Sequence, residues 1–256
     1  MFHLQSFFLT MVYLEWFVSG RHFSMERDIH RLAEQRPMFH ISIPRASYIT
    51  YAFTEFIQRI HTNKDVRINY QETNTMDAIE NILQNGFPIG IIRYPVVFEK
   101  EFLELIEKKG LRSETIWQFR NVALLTEDDP LAEKEILTLQ DLEGYKELVH
   151  GDVYVPFISK KEYNRHSVQP PKVKRIYLYE RGSQFDLLRN VPSTFMWVSP
   201  LPETILKQQG LCQRYCEENK VLYKDALICR EEYVLSGLDK MFLDALFQVR
   251  DTLTDI

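Results

Sequence analysis

The sequence predicts an α/β protein in which two lobes, each with its own sheet, enclose a cleft. Phe39, Ile41 and Ile43 alternate with polar residues, which is typical of a strand, and apolar residues over 49–60 then recur with helical spacing. This strand-helix unit repeats along the chain. The 256 residues are sufficient for two lobes of roughly 100 residues each.

The elements after this first unit continue the alternation. We predict a strand around 66–70, a helix that Thr75 caps and Gly86 ends, a buried strand at 89–92 and a helix over 98–109. Strands that alternate with helices of this length imply right-handed crossovers. A mostly parallel sheet is therefore expected.

The rhythm changes after Leu111, where two extended stretches, 114–117 and 121–126, have less helix between them. A helix is predicted to start over 139–145, and residues 160–174 are expected to form an exposed helix and loop. A second set of α/β elements is predicted at 147–149, 173–179, 185–189, 194–198 and 203–208.

The last predicted helix, 236–254, has an apolar side that suits docking onto a sheet. If it returns to the first lobe, the chain crosses between lobes twice and the crossings form a hinge. The predicted lobes are residues 38–117 with 227–256, and residues 118–226.

Composition restricts the possible functions. A formal net charge of −5 argues against a surface built to neutralise nucleic-acid phosphates. Cys212, Cys216 and Cys229 are too few for a disulfide framework, which favours a reducing compartment. On a helix, the four-residue spacing of Cys212 and Cys216 would place them on one face, as a metal site requires, but no fourth ligand has a recognisable spacing, so structural cysteines are favoured. We expect no metal and no cofactor.

The N-terminal segment, residues 1–37, needs separate treatment because 7–18 is apolar. This run lacks a basic start, contains Glu15, shows no small-residue cleavage site before Arg21, and is too short to span a bilayer. We interpret it as a helix with an apolar face in a cytoplasmic protein, with no membrane contact.

From residue 38 to 256 the chain resembles the effector-binding domain of LysR-type transcriptional regulators. The motifs that carry the resemblance are short, and their order and spacing make it specific. They are Ile41-Ser42-Ile43-Pro44, Phe56-Ile57, Ile68-Asn69-Tyr70-Gln71-Glu72-Thr73, Ile89-Gly90-Ile91-Ile92, Val122-Ala123-Leu124-Leu125, Asp129-Pro130-Leu131-Ala132 (with Asp129 where the family has His) and Leu139-Gln140-Asp141-Leu142.

The resemblance implies a two-lobed, periplasmic-binding-protein-like fold that holds a small effector between its lobes and dimerises through the same domain. In the family, an N-terminal winged helix-turn-helix reads DNA. That module is not recognisable in this sequence. In the family a linker helix follows it, and residues 1–37 match that helix only poorly. The expected function is therefore a non-enzymatic sensor. The alternatives are a solute-binding protein of a transport system, which would need an export signal, and an enzyme on the same fold.

Candidate effector contacts in the first lobe lie where strands end and helices begin, because backbone N–H groups and helix dipoles converge there. Helix capping is the alternative role for the hydroxyl residues. The resemblance implies an effector contact at the first strand-to-helix junction. Arg93 directly follows a buried strand, at a position where some relatives use an arginine to hold an acidic effector. The first-lobe candidates are Ser47, Tyr48, Thr73, Asn74, Thr75 and Arg93.

Candidates in the second lobe follow the same logic. Gly182 permits close backbone approach and Ser183 is a natural helix cap, so a polar or anionic group is expected on that turn. His150 lacks a recognisable nucleophile partner, so a catalytic role is disfavoured. Trp197 lies where relatives build the back of the pocket, although an aromatic strand residue is more often core. The second-lobe candidates are His150, Gly151, Gly182, Ser183, Gln184, Trp197 and Ser199.

Overall fold

A computed structural model of the protein describes residues 37–60, 65–151, 158–168 and 170–253. The described residues from Phe39 onward, apart from 65–67, belong to one compact unit. The predicted N-terminal helix over residues 1–36 lies outside the described residues. Within the described part of the chain, no helix is long and apolar enough to cross a membrane.

The first lobe is built on a five-stranded sheet. Its strands are β1 (Met38–Pro44), β2 (Arg67–Thr73), β3 (Ile89–Pro95), β4 (Leu111–Arg120) and β11 (Leu222–Arg230). They lie in the order β2-β1-β3-β11-β4. β1 and β3 are parallel, with Ile41 opposite Ile89, as the strand-helix alternation predicts. β11 is antiparallel to both of its neighbours, because the chain enters it on returning from the second lobe.

Helices cover both faces of this sheet. They are α1 (Ser47–Arg59), α2 (Thr75–Gln84), α3 (Glu99–Lys108) and α7 (Gly237–Asp251). One core joins β1 to α1 and α7 through buried side chains such as Phe39, Phe56 and Phe242. A second core joins the opposite face to α2 and α3 through Ile82 and Phe102. The apolar face predicted for the last helix therefore docks onto the first lobe.

The second lobe contains a six-stranded sheet. Its strands are β5 (Val122–Thr126), β6 (Ile136–Leu137), β7 (Lys146–His150), β8 (Lys174–Leu178), β9 (Thr194–Val198) and β10 (Leu211–Cys216), in the order β6-β10-β5-β9-β7-β8. Its helices are α4 (Lys160–Arg165), α5 (Gln184–Asn190) and α6 (Glu203–Gln209). β7 is parallel to β8 and β9, whereas β5 is antiparallel to β9 and β10.

The chain crosses between the two sheets at two places. Asn121 separates β4 from β5, and residues 217–221 separate β10 from β11. Asn219, which is buried, donates a hydrogen bond from Nδ2 to the carbonyl of Asn121 over 3.1 Å. The two crossings are therefore tied together, as in a double-stranded hinge.

One predicted helix does not form. Residues 139–144 form turns rather than a helix, because the Asp141 carboxylate accepts hydrogen bonds from the backbone and hydroxyl of Thr138 (2.9 Å each) and so satisfies the chain locally. Cys212 and Cys216 lie on β10 rather than on a helix. At about 3.3 Å per strand residue they are too far apart to share a metal ion.

Candidate functional site

The start of α1 has no side-chain cap. Its N-cap residue is Ala46, which has no side-chain hydrogen bond to offer the first turn. Ser47 is therefore not a cap. It is the first helical residue, it is buried, and its hydroxyl accepts a hydrogen bond from Arg181 Nη2 over 2.9 Å. An uncapped helix start, with its N–H groups and positive dipole end, favours an anion.

Arg181 reaches this point from the other lobe. It lies in the loop between β8 and α5, and its Nη1 donates to Thr50 Oγ1 of α1 (2.6 Å) and to the carboxylate of Glu72 on β2. The side chains of Arg181 and Glu72 are 18% and 20% exposed, so the ion pair is largely withdrawn from water. Arg181 therefore spans the cleft and joins the lobes.

The acceptor side of this contact is fixed by the first lobe. Thr50 Oγ1 lies 3.1 Å from Glu72 Oε1 and 2.9 Å from the hydroxyl of Tyr70. Burial raises the pKa of Tyr70, and the nearby Glu72 charge raises it further, so its hydroxyl stays protonated. Glu72 is therefore held in place by contacts within the first lobe.

The start of α2 is closed, in contrast to that of α1. Asn74 is the N-cap: its side chain accepts from the backbone N–H of Asp77 (2.9 Å), and Thr73 donates to the same aspartate (3.0 Å). The prediction that Thr75 caps this helix is wrong, because Thr75 already has helical backbone and its hydroxyl donates to the Arg93 carbonyl (2.8 Å). These polar groups already bind one another.

Arg93 and Tyr48 meet in a buried network below the cleft. Arg93 Nε and Nη2 donate to the two carboxylate oxygens of Asp225 over 2.7 Å each, and the guanidinium lies 4.7 Å from the Phe119 ring centroid. Tyr48 is fully buried and donates to Asp225 over 2.5 Å. Burial, then the Asp225 charge, raise the pKa of Tyr48 well above its ordinary value. The Arg93 guanidinium, which was predicted to bind an effector, binds Asp225 in this structure.

The second-lobe candidates divide into three groups. His150 ends β7, and the Gly151 N–H donates to the Leu178 carbonyl over 2.8 Å. A Cβ atom at Gly151 would lie within 3 Å of the Tyr179 ring, so glycine permits this close approach. These residues lie at the end of the sheet beside the loop that carries Arg181.

Gly182, Ser183 and Gln184 follow Arg181 directly. Ser183 occupies the N-cap position of α5, but its side chain does not cap the helix. Its hydroxyl donates to Glu180, and this hydrogen bond lowers the pKa of the Glu180 carboxyl. Gln184 is buried at the first position of α5. The turn is thus pre-organised around Arg181.

Trp197 and Ser199 are placed differently. Trp197 packs edge-on against Phe195, with ring centroids 5.6 Å apart, in the core of the second sheet together with Tyr145 and Leu139. Trp197 is partly buried and packs against this core. Its Nε1 is buried and has no hydrogen-bond partner among the described residues. Ser199 is buried just after β9.

A second bridge crosses the cleft through aromatic rings. Tyr163 of α4 stacks on Phe98 of the first lobe (6.4 Å between centroids), and His166 meets the same ring edge-on at 5.5 Å. Tyr163 also shares a hydrogen bond with Tyr223 of β11, whose pKa is raised by burial and then by Tyr163. The two lobes contact each other at both bridges.

The fold is similar to that of several solved structures. The effector-binding domain of QuiR in complex with shikimate aligns with a TM-score of 0.55 and 15% identity, over 85% of this chain and 99% of that chain. The regulatory domain of CcmR from Synechocystis PCC6803, in complex with 2-PG, aligns with a TM-score of 0.55 and 16% identity, over 83% and 97%.

The chain has the fold of a LysR-type effector-binding domain. A full-length OxyR variant from Pseudomonas aeruginosa also aligns, with a TM-score of 0.62 and 10% identity, over 96% of this chain and 80% of that chain. No family model matches the sequence. No curated protein matches it either. The two-lobed fold that the sequence motifs imply is therefore confirmed by structure.

Several residues of this LysR-like cleft escaped the sequence analysis. Arg181 stands at a strand-to-helix junction, next to the glycine that was singled out, so the same junction rule would have named it. Glu72 ends a strand in the same way. Asp225 is different: its partners are 132 and 177 positions away, so no local pattern connects them.

Other potential sites lie away from the cleft. Two surface cavities of about 300 and 200 Å³ are lined by neither Ser47 nor Arg181; one lies beside Glu133–Glu135 and Gln213–Tyr215, the other between β4 and α7. Among the described residues, no group of three His, Cys, Asp or Glu side chains is close enough to hold a metal ion.

Proposed function

We propose that this chain is the sensor domain of a transcriptional regulator and binds a small molecule with an anionic group in its interlobe cleft. The observation that carries the proposal is the Arg181 guanidinium, which crosses the cleft to Ser47 at the uncapped start of α1. A guanidinium, a hydroxyl and free N–H groups at a helix start form a recognition set for a carboxylate.

Several comparisons support this role. The QuiR domain holds shikimate, which is a carboxylate, and the CcmR domain holds 2-PG. The aligned chains are regulatory domains, which favours a non-enzymatic sensor over the transport and enzyme alternatives. We further propose that the chain acts in the cytoplasm as a homodimer, and that DNA is bound by a helix-turn-helix module rather than by this domain.

Ligand binding would act through lobe closure. A ligand shifts an equilibrium between open and closed lobes only to the extent that it binds one arrangement better. A carboxylate that contacts Ser47 on one lobe and Arg181 on the other satisfies this condition, because both contacts exist together only when the lobes are closed. The double-stranded hinge at Asn121 and Asn219 allows closure to alter how two subunits pack.

A thermal-shift screen of the purified chain tests the proposal. The library contains small carboxylates, amino acids, phosphorylated metabolites and sugars. At a hundredfold excess over Kd, a ligand that binds only the folded state adds about 2.7 kcal/mol. At about 2–4 °C per kcal/mol for a chain near this size, the unfolding midpoint should rise by about 5–11 °C.

Matched variants locate the site. The shift should be lost in Ser47→Ala and Arg181→Gln. It should persist in Thr54→Ala, which removes an exposed hydroxyl from the same helix, and in Arg189→Gln, which removes an exposed guanidinium from the same lobe. A shift that is equal in all four variants would place the ligand elsewhere, and no shift with any class would count against a sensor.

A further inference from the structure

The ligand site proposed above already contains a carboxylate. Arg181 is the cation that the second lobe supplies, and Glu72 of the first lobe pairs with it while Ser47 holds the same guanidinium. A side chain of the protein thus takes the place that a ligand's anionic group would need.

The ion pair between Arg181 and Glu72 is expected to be a strong contact between the lobes. Both side chains are about four-fifths buried, so their attraction is less screened by water than that of an exposed pair. Glu72 is also restrained by Thr50 and extends from a sheet strand, so it loses little freedom on pairing. Arg45 Nη2 adds a weaker link between the lobes, to the carbonyl of Tyr179 over 3.4 Å.

We propose that Glu72 is a built-in competitor for the ligand's anionic group. This inference rests on the proposed function, because it takes Arg181 as the ligand's anchor. Arg181 and Glu72 join the two lobes, and a carboxylate ligand binds by displacing Glu72 from the guanidinium. Glu72 therefore restricts the ligand to molecules with an anionic group, and it lowers the affinity of such a ligand for the cleft. An orienting role, in which Glu72 holds Arg181 ready for the ligand, predicts the opposite change in affinity.

The first experiment measures closure without any ligand, by small-angle X-ray scattering of the full chain. Glu72→Gln and Arg181→Gln should increase the radius of gyration, and the charge-swapped double variant Glu72→Arg/Arg181→Glu should restore it. Glu99→Gln is the control, since it breaks a partly buried pair with Lys224 inside the first lobe. Circular dichroism identifies variants that fold normally. A radius unchanged in folded Glu72→Gln would overturn the proposal.

The second experiment uses sodium acetate as the carboxylate probe, titrated at constant ionic strength and followed by thermal shift. Glu72→Gln should bind acetate about tenfold more tightly than the wild type, which corresponds to about 1.4 kcal/mol of removed competition. Weaker binding by Glu72→Gln would overturn the competitor role and leave the Arg181 site intact. An acetate affinity that Arg181→Gln does not change would refute the site itself. In that case the radius of gyration would still decide whether the Arg181–Glu72 pair closes the lobes.

Discussion

The buried Asp225 carboxylate should be the most sensitive charged position in the first lobe. It is fully buried, and it accepts two hydrogen bonds from Arg93 (2.7 Å each) and one from Tyr48 (2.5 Å). Asp225→Asn keeps the shape but replaces one acceptor with an NH₂ group, which cannot accept from Arg93. The Arg93 guanidinium, 17% exposed, then lacks its counter-charge.

The cost follows from this loss. Removing one partner of a buried ion pair costs about 3–5 kcal/mol, and the partial exposure of Arg93 favours the lower value. Since domains are stable by about 5–15 kcal/mol, this is a large fraction of the total. At about 2–4 °C per kcal/mol, the unfolding midpoint should fall by about 6–20 °C.

Scanning calorimetry or thermal circular dichroism provides the assay, with two graded comparisons. Tyr48→Phe removes one hydrogen bond to a charged group and should cost about 1.5–3 kcal/mol. Glu203→Gln breaks an exposed pair with Lys207 and should cost less than about 1 kcal/mol. If Asp225→Asn destabilises no more than Glu203→Gln, the reasoning about the buried network is wrong.

Two further predictions follow from burial. Burial raises the pKa of the Glu147 carboxyl more than the ion pair with Arg175 lowers it. The protonated carboxyl therefore contributes stability that is present at low pH and is lost as pH rises through the folded-state pKa. Relative to Glu147→Gln, the wild type should therefore lose stability between pH 4 and pH 7 in urea titrations; a stability difference that does not change with pH, or that changes in the other direction, would refute this. Burial likewise raises the pKa of the Cys216 thiol to about 11. Iodoacetamide at pH 8 should modify it roughly 100-fold more slowly in the folded than in the unfolded protein, by mass spectrometry, and equal rates would contradict its burial.

The sequence was most informative where structure is local. Alternation at Phe39, Ile41 and Ile43 predicted β1, and the apolar period over 49–60 predicted α1, because both are decided by which face is buried. The helix expected over 139–145 failed for a local reason too. Its hydrophobic spacing fits a helix, but the Asp141 side chain competes for the backbone and holds the segment in turns.

The candidate site was predictable only in part. The rule that ligands bind at the carboxyl ends of strands led to the edge of the sheet where Ser47 contacts Arg181. It could not distinguish the open start of α1 from the closed start of α2, because that depends on whether Ala46 or Asn74 occupies the N-cap position. The partner of Arg93 lies on β11 and is supplied by chain return across the hinge, so periodicity gives no sign of it.

The most direct test of the account is a crystal structure of the chain with the tightest carboxylate from the thermal-shift screen. The account predicts a ligand carboxylate within hydrogen-bond distance of Arg181 and Ser47, with Glu72 displaced from the guanidinium. A ligand bound in either surface cavity, or a ligand in the cleft with the Arg181–Glu72 pair still formed, would contradict it.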